Sequence, residues 1–552
     1  MGKTYLYNGE YKKSLDSYNT YYSLIDLKSN YNMKLVPVYL LTKGTKHTVS
    51  LVARNETIFF RKIKNKKINW NKIIEVIYWY SVLGEDEKIL KIIDKIETYL
   101  SSRKKSLLSS DIMPIILFYK YYSLISINDY KNAAKIKAKI LKNFTNLVNK
   151  RPKRNLGSDD LSKFNLLATN LWMYNDLLPL YRKLLIHNNS AFLEYVNALL
   201  KTRKIEKVLI LYDDLMKEKS KSVTSKYKRK SIIYNILYAN SQIGDYKSID
   251  KYFRNKYNLP HCNINKVYIK LAQEDPCLFF SIGVYRLGEK KEFTLISKLL
   301  DHNNYDTIFL KKECIRANIK FNLYWNDNPS AAKKLLKKLK NLSPFEYDFN
   351  FWDYKYYIHK GNLKKTYDKL FDNHLKPNLW QRDYALVGDL CLYYLNFKIQ
   401  KVKHIDSLLL FSDSLIDERI FMFKIAILAE SNIEDAKNFI KKYKDSIIKM
   451  PYGNLAVTIG KYLIGQATEK EIFAIKANTL SQKNYKNIYG NFYIGQKLYN
   501  AGKKKQASKY FSNIFKQRYL GFYVVGVARH LLVKCDIDVV DQEAEVTKKH
   551  KK

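Results

Sequence analysis

Few residues in this chain are spaced for covalent chemistry. Ser330-Ala331-Ala332-Lys333 has the S-x-x-K spacing of a serine nucleophile with its neighbouring lysine. The companion motifs S-D-N and K-T-G are not found. The segment also opens a helical pattern, where N-capping by Ser330 or Asn328 explains it better. Gly2-Lys3-Thr4 ends like a phosphate loop, but the upstream glycine and strand are missing. His261, Cys262 and Cys277 would need a fourth ligand to hold a metal, and none stands at suitable spacing. The five cysteines never form C-x-x-C and are odd in number, so neither a disulfide framework nor a zinc site is expected. No G-x-S-x-G, H-E-x-x-H or dinucleotide fingerprint occurs. The sequence therefore reads as non-catalytic, with no metal and no cofactor.

The remaining chemistry is electrostatic. Lys and Arg number 98 against 52 acidic residues, a formal charge of +46. Such a charge attracts nucleic acid, anionic lipid or acidic protein. Two basic runs carry aromatic neighbours that would stack a base while the cations neutralise phosphates. Arg61, Lys62, Lys64, Lys66 and Lys67 precede Trp70 and Lys72; Lys226, Lys228, Arg229 and Lys230 enclose Tyr227. The competing reading is a solvated face in a chain rich in Lys, Asn, Ile and Tyr throughout.

These residues must be held by something, and the bulk numbers say what. With 552 residues, 46% of them hydrophobic, the chain holds more than one core or an extended array. Only 18 glycines and 10 prolines are present, too few for a turn-rich β fold and enough for helix hairpins. No stretch reaches the roughly 18 apolar residues of a spanning helix. The run from Tyr519 to Val533 is interrupted by Arg529 and His530. The segment from Leu35 to Phe60 reads equally as helix or as a strand hairpin.

A repeat runs through the chain. In NFYIGQKLYNAGKKKQASKYFSNIF, Gly495 and Leu498 lie on one helix, Gly502 marks the turn, and Ala507, Phe511 and Ile514 share one face of the next. Small residues at Gly495 and Ala507 would let the two helices cross closely. The frame recurs at Gly9, Ser14 and Tyr18; at Leu237, Gly244, Ile249 and Phe253; at Leu323, Ala332, Leu336 and Leu339; and at Tyr357, Gly361, Thr366 and Leu370. Weaker copies hold Ala133 with Ile140, and Ala436 with Ile440 and Tyr443.

On these residues the chain resembles the tetratricopeptide-repeat family, whose 34-residue unit is a helix–turn–helix. The resemblance implies an all-α fold, a right-handed superhelical α-solenoid of stacked antiparallel helix hairpins. The polar loop from Arg151 to Asp160 and the polar end of the chain divide this into N-terminal helical repeats over 1–150, a central and C-terminal superhelix over 151–540, and a disordered basic tail over 541–552. The resemblance also implies a concave groove lined by the first helix of each hairpin. The groove positions project onto Phe118, Tyr122, Tyr234, Tyr238, Phe321, Tyr324, Phe351, Lys355, Tyr489, Phe492, Gln496 and Tyr499.

The expected function is a scaffold that holds a protein or peptide partner by aromatic anchors. Two alternatives remain open: polyanion binding through the basic runs, and an envelope protein assisting exopolysaccharide assembly or export. A cytoplasmic location is expected. The first repeat copy opens partway through a helix, so an upstream segment carrying a signal would shift that to the periplasm or envelope.

Overall fold

A computed structural model describes residues 11–24, 36–64, 70–102, 113–127, 129–150, 174–185, 195–196, 198–200, 207–211, 233–238, 240, 245–301, 305–342, 347–370, 382–396, 404–411, 416–478, 480–516 and 520–535. Among these residues all regular structure is helical and no strand occurs. No helix among them is long and apolar enough to cross a membrane. The chain divides into two compact units. One comprises 1–194, 340–350 and 371–380; the other comprises 195–339, 351–370 and 381–552.

The first unit contains α1 (Tyr11–Leu24), α2 (Val36–Lys64), α3 (Trp70–Leu83), α4 (Asp86–Ser102), α5 (Met113–Ser126), α6 (Tyr130–Lys150) and α7 (Tyr174–Leu185). The segment that reads equally as helix or strands is helical, with a break at Gly44, where φ is 78°. Val52 and Phe59, seven apart, join Ile73, Val76, Ile77 and Tyr80 of α3 in one buried cluster. That helix-spaced burial is what overrides the β-branched content of the segment.

The second unit contains α8 (Tyr246–Lys256), α9 (Ile264–Glu274), α10 (Pro276–Leu278), a π turn (Phe279–Gly283), α11 (Val284–Glu289), α12 (Phe293–Leu299), α13 (Ile308–Tyr324), most of α14 (Pro329–Leu342) and α15 (Tyr347–His359), whose facing ends fall in the first unit, then α16 (Leu363–Leu370), α17 (Arg382–Asn396), α18 (His404–Phe411), α19 (Glu418–Ser431), α20 (Ile433–Ile448), α21 (Gly453–Leu463), α22 (Glu469–Ala474), α23 (Leu480–Asn500), α24 (Lys504–Phe515) and α25 (Tyr523–Lys534).

One turn recurs in both units. An amide bonds the carbonyl five residues back at Glu85 to Tyr80, Asp129 to Leu124, Asp245 to Asn240, Asn362 to Tyr357 and Lys503 to Leu498. This is the closure that satisfies orphan carbonyls at a helix C-terminus. The next helix starts one residue later in every case. Four residues after the bonding amide stand Ile89, Ala133, Ile249, Thr366 and Ala507, each at 0% exposure. Gly361 (φ 71°) and Gly502 (φ 74°) occupy the left-handed step that a Cβ would strain. The crossing of α23 and α24 is as close as its small residues demand. A Cβ on Gly495 would stand 2.8 Å from a ring carbon of Phe511.

The second unit also holds a contact that neighbour-to-neighbour stacking does not provide. Helix α25 packs on α23 and α24, and also on α16 and α17. Its Gly526 lies so close to α15 that a Cβ there would be 1.6 Å from the Ile358 carbonyl oxygen. Just before it, the Leu520 amide donates to the Tyr324 carbonyl at 2.8 Å. Arg529 donates to both carboxylate oxygens of Asp327, 202 residues away, at 2.9 Å each. His359 Nε2 meets the same carboxylate at 2.8 Å.

Candidate functional site

The projected groove residues fall into three groups. Tyr122, Phe321, Tyr324, Tyr489, Phe492 and Gln496 are buried. Phe118, Phe351, Lys355 and Tyr499 are half-buried. Tyr234 and Tyr238 stay exposed, each at 38%. A buried ring cannot meet a ligand without displacing its neighbours, so the first group packs the interior instead of lining an open groove.

Within the second unit, α25 and its lead-in join part of that packing. Phe522 sits edge-on to Tyr489 at 5.4 Å and to Tyr485 at 5.2 Å. Tyr523 lies under two cations, Lys355 at 5.2 Å and Arg419 at 5.7 Å from its centroid. Phe351, one turn before Lys355, stacks edge-on against Tyr354 and Tyr384 at 5.5 and 6.0 Å. Lys355 of α15 and Tyr489 of α23 thus meet the first residue and lead-in of α25, while Phe321 packs on Phe293, and Phe492 on Tyr394 and Phe511.

Charge inside this packing is arranged in two ways. Arg419 is neutralised: its Nη2 donates to Asp383 and to Asp417, both at 2.6 Å. Asp417 is completely buried and also caps α19, accepting from the Arg419 and Ile420 amides at 3.0 Å. Burial would lower the guanidinium's pKa, but the two carboxylates outweigh it and raise it well above its ordinary value. Lys355 has no such partner. Its Nζ donates to the Tyr324 hydroxyl at 3.0 Å and sits 4.6 Å from the Phe351 centroid. One turn before Tyr324, Lys320 lies over the Tyr285 ring at 4.1 Å. Burial and the positive charge of Lys355 pull the Lys320 ammonium down to about 7. The sequence reading missed Lys320, Asp383, Asp417, Arg419 and Tyr523. The D-E-R string at the start of α19 carries an N-cap signal, but nothing local marks its burial.

The basic runs fare differently. Lys66, Lys67, Lys226, Lys228, Arg229 and Lys230 lie outside the described residues, as do the side chains of Arg61, Lys62 and Lys64, whose backbone closes α2. Trp70 is half-buried and packs on the first unit's apolar cluster, so its ring is committed to the core. Exposed lysines are widespread: Lys333, Lys334 and Lys337 on α14, Lys364 and Lys365 on α16, Lys441 and Lys444 on α20, Lys504, Lys505 and Lys509 on α24, and also Lys43 and Lys46 on α2 and Lys497 on α23.

The S-x-x-K segment is a helix start. Asn328 caps α14, accepting from the Ala331 amide at 3.0 Å, and both Ser330 and Lys333 are exposed. Cys262 and Cys277 are not in disulfides, and among the described residues no three His, Cys, Asp or Glu side chains are grouped to hold a metal. No family model matches the sequence, and no curated protein matches it.

Proposed function

We propose that this chain is a non-catalytic, tetratricopeptide-like helical-repeat scaffold that binds a partner protein. The shared hairpin turn, with a fully buried residue four positions after it, supports the repeat reading in both units. The observation that carries the binding reading is the exposure of Tyr234 and Tyr238. They stand four apart on helix 233–238, so they share one face, while Ile236 and Leu237 between them are buried. Exposed paired tyrosines are good anchors: each brings a large rigid ring with a polar end at low entropic cost. The partner segment is acidic on this reading, since a net charge of +46 draws negative chains and repels basic ones.

The test is affinity capture from the native host with the full chain, side by side with Tyr234→Ala/Tyr238→Ala. A partner held by this face should lose at least about 30-fold in affinity in the double variant, the loss of one hot spot or more. Equal retention by both proteins, with unchanged circular dichroism, would remove Tyr234 and Tyr238 from the binding surface.

A second reading has its own observation, the exposed lysines on α14, α16, α20 and α24. On that reading these helices bind a polyanion. Titration with heparin or single-stranded DNA would then fall steeply with salt, the log–log slope scaling with the number of phosphates contacted. A flat salt response would leave these lysines as a solvated face.

A further inference from the structure

Lys320 and Lys355 form a pair of cations without a counter-ion. Lys320 and Tyr324 lie one turn apart on α13, and Phe351 and Lys355 lie one turn apart on α15, so two side-chain rows face each other. The hydrogen bond from Lys355 to the Tyr324 hydroxyl, 3.0 Å, fixes the register of those rows. Both lysines are half-buried. Among the described residues neither is ion-paired with a carboxylate; the nearby acid, Asp383, is held by Arg419 at 2.6 Å. Rings stand where acids would be expected: Tyr285 over Lys320, and Phe351 and Tyr523 around Lys355.

Two like charges in a poorly solvated aromatic setting repel, and among the described residues no carboxylate bonds either ammonium directly. Ring faces attract a cation but do not neutralise it. A ligand oxyanion would do so, accepting from both ammonium groups while its body rests on the rings.

We propose that Lys320 and Lys355 form a subsite for an oxyanion, a carboxylate or phosphate group carried by a small molecule. The subsite is separate from the tyrosine pair on helix 233–238 and does not depend on it. The low affinity of Lys320 for its proton follows from the same geometry, and an anion would reverse it. Binding therefore weakens as pH rises through about 7, where Lys320 loses its charge. Tyr285, Tyr324, Asp383 and Tyr523 also face the pair; burial raises the hydroxyl pKa values of Tyr324 and Tyr523, which stay neutral in that range.

The test is competitive labelling of the full chain with a trace amine-acylating reagent at neutral pH, read by peptide mass spectrometry. Exposed Lys334 is the internal reference. Lys320 should label at least about tenfold faster than Lys334, because far more of it is the free amine. Inorganic phosphate and acetate are the probes, with chloride at matched ionic strength as control. Whichever protects at lower concentration identifies the group, and protection should slow Lys320 by at least about fivefold without changing Lys334. Lys355→Met should abolish protection while Lys320 still labels, with circular dichroism confirming the fold; Lys355→Gln repeats the test with a smaller apolar change. Labelling of Lys320 no faster than Lys334 overturns the proposal. So does the failure of both anions to protect up to about 50 mM, weaker than any useful affinity.

Discussion

Replacing Gly526 by alanine tests whether α25 is docked against α15 as described. The residue is in the interior of a twelve-residue helix. On an isolated helix, Gly→Ala would stabilise by about 1 kcal/mol, because alanine is the better helix former. Here the added Cβ would stand 1.6 Å from the Ile358 carbonyl oxygen and 2.5 Å from its carbon. Ordinary contact needs about 3.5 Å, so one backbone must retreat by about 2 Å, and neither atom belongs to a flexible side chain. Overpacking alone costs about 1–3 kcal/mol. The retreat also loosens buried Val525, Val527, Ala528 and Leu531 on the same helix. The net effect should be a loss of at least about 2 kcal/mol, a clear fall in denaturant midpoint. Limited trypsinolysis should then cut at Arg529 or Lys534, which a docked helix protects. The sign decides the matter. A Gly526→Ala protein that is more stable than the parent, with α25 equally protected, refutes the docking.

Removing the Arg419 side chain with Arg419→Met should cost about 3–5 kcal/mol in denaturant unfolding, since it strands the buried carboxylate of Asp417. Asn328→Ala should cost about 1 kcal/mol by removing the α14 cap, whereas Ser330→Ala should be near neutral. Stability should fall on acidification in two stages. Burial opposes ionisation of Asp327, but the hydrogen bond from His359 and the Arg529 charge outweigh it and hold the carboxyl at about 2. Its folded pKa is depressed, so its contribution is full above the unfolded value near 4 and is lost as pH falls toward about 2. Burial lowers the His359 pKa in the same clasp. That contribution is full above the unfolded value near 6.5 and is lost below it, once the unfolded chain takes up the proton. In Asp327→Asn the lower stage should disappear from a pH series of unfolding midpoints, and its persistence would assign it to other carboxylates.

The hairpins were legible because their signals are local. Gly361 and Gly502, followed by Thr366 and Ala507, mark a turn and a crossing within one stretch of chain. The helical state of 36–64 was not legible, because LVPVYLL mixes β-branched and straight residues and only the packing of Val52 and Phe59 decides the period. Asn328 could be named as a cap beforehand, since a cap bonds three residues away. The docking of α25 could not be named, because it depends on a contact 202 residues long.

Arg529 and His530 show how a correct local reading can miss a tertiary role. In sequence they interrupt an apolar run and argue against a membrane span. In the fold they sit midway along α25, against the α15–α16 turn. A Cβ on Gly361 would be 3.0 Å from the Arg529 Cβ and 3.1 Å from the His530 amide, and with φ at 71° a side chain there would be strained. The same arginine reaches Asp327, whose own φ of 45° turns α13 into α14. Two successive hairpin turns are therefore tied to one terminal helix. In a purely stacked array, stability is a sum of neighbour terms and binding is free to use the whole inner face. Here α25 links non-neighbouring helices of the second unit, packing on α16 and α17 as well as on α23 and α24. On the proposed scaffold reading, a partner would be left with the exposed tyrosines of helix 233–238.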